Sequence, residues 1–119
     1  MKVETVDYVT VPTRDMARAV AWYRDVLGLE QGARGEIETP NVTLSFWNPE
    51  EDGEDFRPNR GSLGLRVPDV EEARSDLEAR GIEFSGQTVD SGVCLMAFCT
   101  DPDGNPITLH RRYAPHEQG

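Results

Sequence analysis

The sequence predicts an α+β domain built from two copies of one strand–helix–strands unit, and three observations carry that prediction. A short strand runs into an acidic helix start twice along the chain. After each helix the apolar spacing changes from about 3.6 residues to about 2, as it does where a helix gives way to strands. Alternate strand residues then sort into one apolar and one polar set. Length agrees, since 119 residues suffice for one domain with a real core and are too few for two independent ones.

In the first copy Asp7-Tyr8-Val9-Thr10-Val11-Pro12 leads to Asp15, after which Met16, Ala19, Val20, Tyr23 and Leu27 recur at helical spacing until Gly28. In the second, Ser62-Leu63-Gly64-Leu65-Arg66-Val67-Pro68 leads to Asp69, and Val70, Ala73 and Leu77 recur until Gly81. Asp15 and Asp69 suit the N-cap, where a carboxylate accepts free N–H groups of the first turn, and Gly28 and Gly81 suit a left-handed stop. Strands are expected over 29–33, about 35–39 and 42–47 in copy one, with Pro40-Asn41 turning between the last two. In copy two they are expected over 82–84, 93–100 and 106–112, the last pair joined by Asp101-Pro102-Asp103-Gly104-Asn105. The organisation is one domain: module one over about 3–48, an acidic linker over 49–60, module two over about 61–113 and a polar tail over 114–119, where His116 is expected to be exposed.

Alternation says which side chains share a face. Val9, Val11, Leu63, Leu65, Val67, Val42, Leu44, Phe46, Ile107 and Leu109 form an apolar set suited to lie under the helices. The opposite faces carry Tyr8, Thr10, Thr43, Ser45, Trp47, Ser62, Gly64, Arg66, Thr108 and His110. Hydroxyls and a guanidinium make a poor dry core, so this second set reads as the lining of a wet concavity.

Twelve basic against 22 acidic residues give a formal net charge of −10, which argues against a non-specific grip on nucleic acid or an anionic membrane. A neutral or cationic partner is easier to accommodate. No stretch reaches the ~18 apolar residues of a membrane helix, and residues 1–5 lack the basic run and apolar core of a secretory signal, so a cytoplasmic protein is expected. Cys94 and Cys99 fall in one expected strand on opposite faces, about 16 Å apart at ~3.3 Å per residue, and read as reduced thiols.

The run Val6-Asp7-Tyr8-Val9-Thr10-Val11, the helix end Trp22-Tyr23-Arg24-Asp25-Val26-Leu27-Gly28-Leu29 and the late run Asp101-Pro102-Asp103-Gly104-Asn105-Pro106-Ile107-Thr108-Leu109 resemble the vicinal-oxygen-chelate superfamily. That group includes glyoxalase I, extradiol dioxygenases, methylmalonyl-CoA epimerase, and the fosfomycin- and bleomycin-resistance proteins. The resemblance implies two βαβββ modules that form a curved mixed sheet around a cleft, often in a homodimer. It also implies, in metal-dependent members, a His or Gln seven residues before the helix-start acid of each module and a Glu or His on each last strand. The matching positions here are Tyr8, Ser62, Thr108 and Thr43. Neutral hydroxyls are poor substitutes for imidazole, carboxylate or thiolate on a divalent first-row metal, so no metal site and no cofactor are expected. His110 shares a strand face with Thr108 and is weighed as a displaced ligand or base, but one imidazole does not make a tight site.

Three functions follow as expectations. The first is a metal-independent binder, similar to the bleomycin-resistance branch, that sequesters a hydrophobic or cationic compound on Tyr8, Thr43, Ser45, Trp47, Ser62, Arg66, Thr108 and His110. The second is a glyoxalase-, epimerase- or dioxygenase-type enzyme with atypical ligands. The third is a partner-binding domain, because fold does not fix function.

Overall fold

In a computed structural model that describes residues 1–115, the chain forms two helices and two four-stranded mixed sheets, an α+β architecture. His116 lies outside the described residues. The elements are β1 (Tyr8–Pro12), α1 (Met16–Asp25), β2 (Glu30–Gln31), β3 (Ile37–Glu38) and β4 (Thr43–Trp47), then β5 (Leu63–Arg66), α2 (Val70–Ala79), β6 (Ser85–Asp90), β7 (Cys94–Thr100) and β8 (Pro106–Arg112). The strand orders are β1-β4-β3-β2 and β5-β8-β7-β6, so the repeat read from the sequence is a repeat of topology. In each sheet one parallel pair joins the first and last strands of its copy, and the other pairs are antiparallel. The chain divides into two compact units, the first made of Met1–Asn59 with Pro102–Asn105, the second of Arg60–Asp101 and the chain from Pro106 on.

Both helices start where the carboxylates stand. The Asp15 side chain accepts from the Arg18 N–H at 3.0 Å, and that of Asp69 from the Glu72 N–H at 3.0 Å. Gly28 and Gly81 follow at φ of 72° and 88°, a backbone region nearly closed to residues with a Cβ.

In the first unit α1 buries Ala19, Val20 and Tyr23 over Ile37, Leu44 and Phe46, with the Tyr23 and Phe46 rings edge-on at 5.0 Å. In the second, Val70 and Leu77 of α2 cover Ala97, Cys99, Ile107 and Leu109. Val9, expected beneath the helix, is 37% exposed because β1 ends its sheet and has a neighbour on one side only.

Three strand boundaries differ from the sequence expectation. The strand expected over 29–33 is Glu30–Gln31, because the Gly32 N–H donates to the Glu36 carbonyl and the Gly35 N–H to the Gly32 carbonyl, turning the chain. The strand expected over 35–39 is correspondingly Ile37–Glu38. The strand expected over 82–84 is Ser85–Asp90: the Ile82 N–H still donates to the Leu77 carbonyl of α2, and Phe84 lies under the Arg74 guanidinium at 5.0 Å. Ile82 and Phe84 are apolar because they pack at the exit of a helix, whereas the true strand ends its sheet and is polar along most of its length.

The acidic segment after β4 begins with one 3-10 turn over Pro49–Asp52, capped by the Asn48 side chain and closed by Gly53 at φ 76°. Farther on, Phe56 lies under the Arg14 guanidinium at 4.3 Å, and the Asn59 N–H donates to Asn105 Oδ1 at 2.8 Å. These contacts tie much of the segment to the first unit. Both cysteines are free thiols, Cys94 half-buried and Cys99 buried.

Candidate functional site

Each sheet turns one face to its helix and leaves the other open, and register shows what the open faces carry. In the first sheet Tyr8 pairs with Thr43 and Thr10 with Ser45, while Glu38 pairs with Thr43 on its other side and with Glu30 beyond. The row Tyr8, Thr43, Glu38, Glu30 therefore crosses all four strands on the side away from Ile37 and Leu44, which are fully buried. Tyr8 is 60% exposed, and the Thr43 hydroxyl donates to the Glu38 carboxylate, 2.8 and 3.0 Å from its two oxygens. Neither Glu30 nor Glu38 has a basic partner among the described residues.

At the far end of β4, Trp47 is 39% exposed and its indole N–H donates to the Asp52 carboxylate at 2.7 Å. The 3-10 turn thus fixes the rotation of the ring while leaving ring surface open. The first sheet presents two exposed aromatics with hydroxyls between them and an acid beside one of them.

In the second sheet Gly64 pairs with Thr108, and Thr108 with Phe98; Arg66 pairs with His110, and His110 with Met96. Ser62 precedes β5, and its hydroxyl shares a hydrogen bond with that of Thr108, which is buried at 8% exposure. Counting seven back from each helix-start acid picks Tyr8 and Ser62, but strand register matches Tyr8 with Gly64. The reason is that the connection Pro12-Thr13-Arg14-Asp15 shrinks to Pro68-Asp69 in the second copy.

Within their units the structure brings together Tyr8 with Thr43, Thr10 with Ser45, Ser62 with Thr108, and Arg66 with His110. Trp47 stands at the end of its row opposite Pro12. Sequence reasoning missed Glu38, Asp52 and Met96. Glu38 was within reach: Thr39 and Val42 flank the Pro40-Asn41 turn, with the Thr39 N–H donating to the Val42 carbonyl, and one step outward puts Glu38 opposite Thr43. Asp52 left no such trace, because its partner is set by the 3-10 turn.

The four positions at which the resemblance puts metal ligands do not fit a first-row metal. Thr43 spends its hydroxyl proton on Glu38, Ser62 and Thr108 are bonded to each other, and Tyr8 offers a phenol hydroxyl in place of imidazole, carboxylate or thiolate. Among the described residues no three His, Cys, Asp or Glu side chains are grouped closely enough to hold an ion. No helix among them is long and apolar enough to cross a membrane.

Comparison with known proteins bears on the whole fold. The family model of the glyoxalase/bleomycin resistance protein/dioxygenase superfamily matches residues 5–109. No curated protein matches the sequence. Among solved structures, a member of that superfamily from Sphaerobacter thermophilus superposes with a TM-score of 0.77 at 23% identity, covering 91% of this chain and 97% of its own. A lactoylglutathione lyase from Agrobacterium tumefaciens gives 0.72 at 20% identity, covering 92% and 94%. An antibiotic-binding protein from a Streptomyces species gives 0.72 at 24% identity, covering 94% and 98%. At these identities the likeness is one of fold, shared equally by an enzyme and a binder.

Proposed function

The chain belongs to the glyoxalase/bleomycin resistance protein/dioxygenase superfamily, and on that footing we propose that it is a metal-independent small-molecule binder that sequesters a hydrophobic or cationic compound. The observation that carries the reading is the open face of the first sheet, where exposed Tyr8 and Trp47 flank the hydroxyls of Thr43 and Ser45 and the carboxylate of Glu38 has no basic partner among the described residues. Aromatic faces offer stacking and a place for cations, and an ionised carboxylate beside them adds charge complementarity. Ser62, Arg66, Thr108 and His110 are taken as the second sheet's own ligand contacts, within its own unit. An antibiotic-binding protein of the same fold is consistent with this reading. The metal-dependent enzyme reading needs ligand chemistry at Tyr8, Thr43, Ser62 and Thr108 that these side chains lack. The binder is taken to be a cytoplasmic homodimer, since β1 and β5 each end a sheet, and sedimentation equilibrium checks the assembly.

Titration with a planar cation such as 9-aminoacridine tests the proposal. Quenching of tryptophan emission should survive Trp22→Phe and vanish in Trp47→Phe, and Trp47→Ala should weaken binding by ~1–3 kcal/mol. Binding left unchanged by Tyr8 and Trp47 substitutions alike would put the ligand elsewhere.

A further inference from the structure

The second sheet's open face is built differently from the first. Across its four strands runs the row Arg66, His110, Met96, Val89, each residue the register partner of the next. The neighbours Leu65, Leu109 and Ala97 turn to the other side, where Leu109 and Ala97 are buried, and Thr88 beside Val89 is hydrogen-bonded to Arg74 of α2. Parity therefore sets the whole row on the side away from the helix. Arg66 is exposed, His110 and Met96 are half-buried and Val89 is 42% exposed.

Among the described residues neither the Arg66 guanidinium nor the His110 imidazole has a hydrogen-bond or ion-pair partner. A chain with a net charge of −10 and 22 acids thus leaves a strand arginine unneutralised, directly opposite a second N–H donor. Beside them a Cβ added at Gly64 would meet nothing within 4 Å, so the face is open where the first copy carries a phenol. The row grades from guanidinium to imidazole to thioether to isopropyl over three strand spacings of about 4.8 Å, or roughly 14 Å.

We propose that this face is an organic-anion subsite, in which Arg66 and His110 take a carboxylate while Met96 and Val89 take the apolar body attached to it. It rests on the small-molecule reading in one respect, that open sheet faces are ligand surfaces. The guanidinium offers a planar fork matched to a carboxylate, and the imidazole N–H supplies a further donor. One unpaired cation suits a single negative charge; a phosphate dianion would meet the field of an acidic protein with one guanidinium to offset it. The thioether is deformable, which suits an apolar body of no fixed outline.

The test compares 2-naphthoate with its neutral isostere 2-naphthamide, followed by two-dimensional amide NMR of the full chain. Naphthoate should move signals of Arg66, His110 and Met96 and bind about tenfold more tightly than naphthamide, the ratio expected when one hydrogen-bond partner becomes charged. Arg66→Gln should bring naphthoate down to the affinity of naphthamide with the remaining spectrum intact. Arg111→Gln removes the same charge from the next residue after His110, which alternates to the other side of β8, and should leave naphthoate binding within about twofold, because screening weakens charges that make no contact. Equal affinity for the two compounds, or an equal loss from Arg111→Gln, overturns the subsite. Shifts confined to Tyr8 and Trp47 overturn it while leaving the small-molecule reading in place. Absence of shifts on both open faces with both compounds overturns the subsite, and the small-molecule reading falls with it when 9-aminoacridine also moves no signal.

Discussion

Aligned on Pro12 and Pro68, the two copies agree beneath their sheets and disagree above them. Leu44 matches Leu109, at 0% and 2% exposure, while on the open side Tyr8 matches Gly64, Thr10 matches Arg66 and Ser45 matches His110. Glu38 likewise matches Phe98, since each is the antiparallel partner of the threonine that Thr43 and Thr108 supply. One face of each sheet is constrained by packing against a helix, where a lost methylene is felt at once; the other meets no such constraint and is free to take up chemistry. The first copy has used that freedom for aromatics and acids, and the second for a guanidinium, an imidazole and a thioether.

The sharpest way to break the comparison is to cut the shared side. Leu44→Ala and Leu109→Ala should each cost about 2–5 kcal/mol in denaturant unfolding, the range for a buried leucine, and by similar amounts if the cores are equivalent. A cost below about 1 kcal/mol at either position would mean that one copy packs loosely and the repeat is one of topology alone.

The second way concerns the turns before the last strands. Copy one makes that connection with Pro40-Asn41, whereas Pro102–Asn105 of copy two belongs with the first unit. There the Asp103 carboxylate, at 1% side-chain exposure, accepts from the Thr13 hydroxyl at 2.6 Å, the Arg14 N–H at 3.1 Å and the Arg18 guanidinium at 2.7 Å. Asn105 adds a bond from its Nδ2 to the Pro12 carbonyl at 2.8 Å. Asp103→Ala leaves these donors without their acceptor and should cost about 2–4 kcal/mol; Asp103→Asn, which keeps one carbonyl oxygen, should cost less. An Asp103→Ala stability within about 0.5 kcal/mol of the parent would show that the turn is held by its backbone, as an ordinary surface substitution would be.

How much of this was legible follows the same division. The helices, their aspartate caps and the strands β4, β7 and β8 were readable because local chemistry and alternation point the same way there. Strand β6 was not, because an edge strand that packs little carries no apolar alternation, and the apolar Ile82 and Phe84 beside it serve the helix exit. On the open faces alternation correctly grouped Tyr8 with Thr43 and Arg66 with His110, but only pairing revealed which side chains flank them. Thus Met96 needed the register of β7, and Asp103's bonds to Thr13 and Arg18 needed the fold itself.

The smallest effect separates the two sides of a single strand. Cys94 and Cys99 lie five apart on β7, so they alternate to opposite faces; Cys99 is 4% exposed among the residues under α2, and Cys94 is half-buried. Burial, helped by the nearby Asp101 carboxylate, pushes the Cys99 thiol up from 9.0 to about 11. At pH 8 iodoacetamide should therefore add one carbamidomethyl group per native chain, at Cys94, because the thiolate is the nucleophile and Cys99 is both protonated and covered. Peptide mapping by mass spectrometry reads the site. The same shift has a consequence for stability whose sign is fixed. As the folded thiol holds its proton to higher pH than the unfolded one, the unfolded chain ionises first, so this contribution is intact below pH 9 and is lost as pH rises from 9 to about 11. Cys99→Ala should lower stability at neutral pH by a roughly constant amount yet flatten the decline across that window relative to the parent. Equal labelling of the two cysteines at pH 8 would show that β7 opens readily and that the helix-covered side of the second copy is not firmly closed.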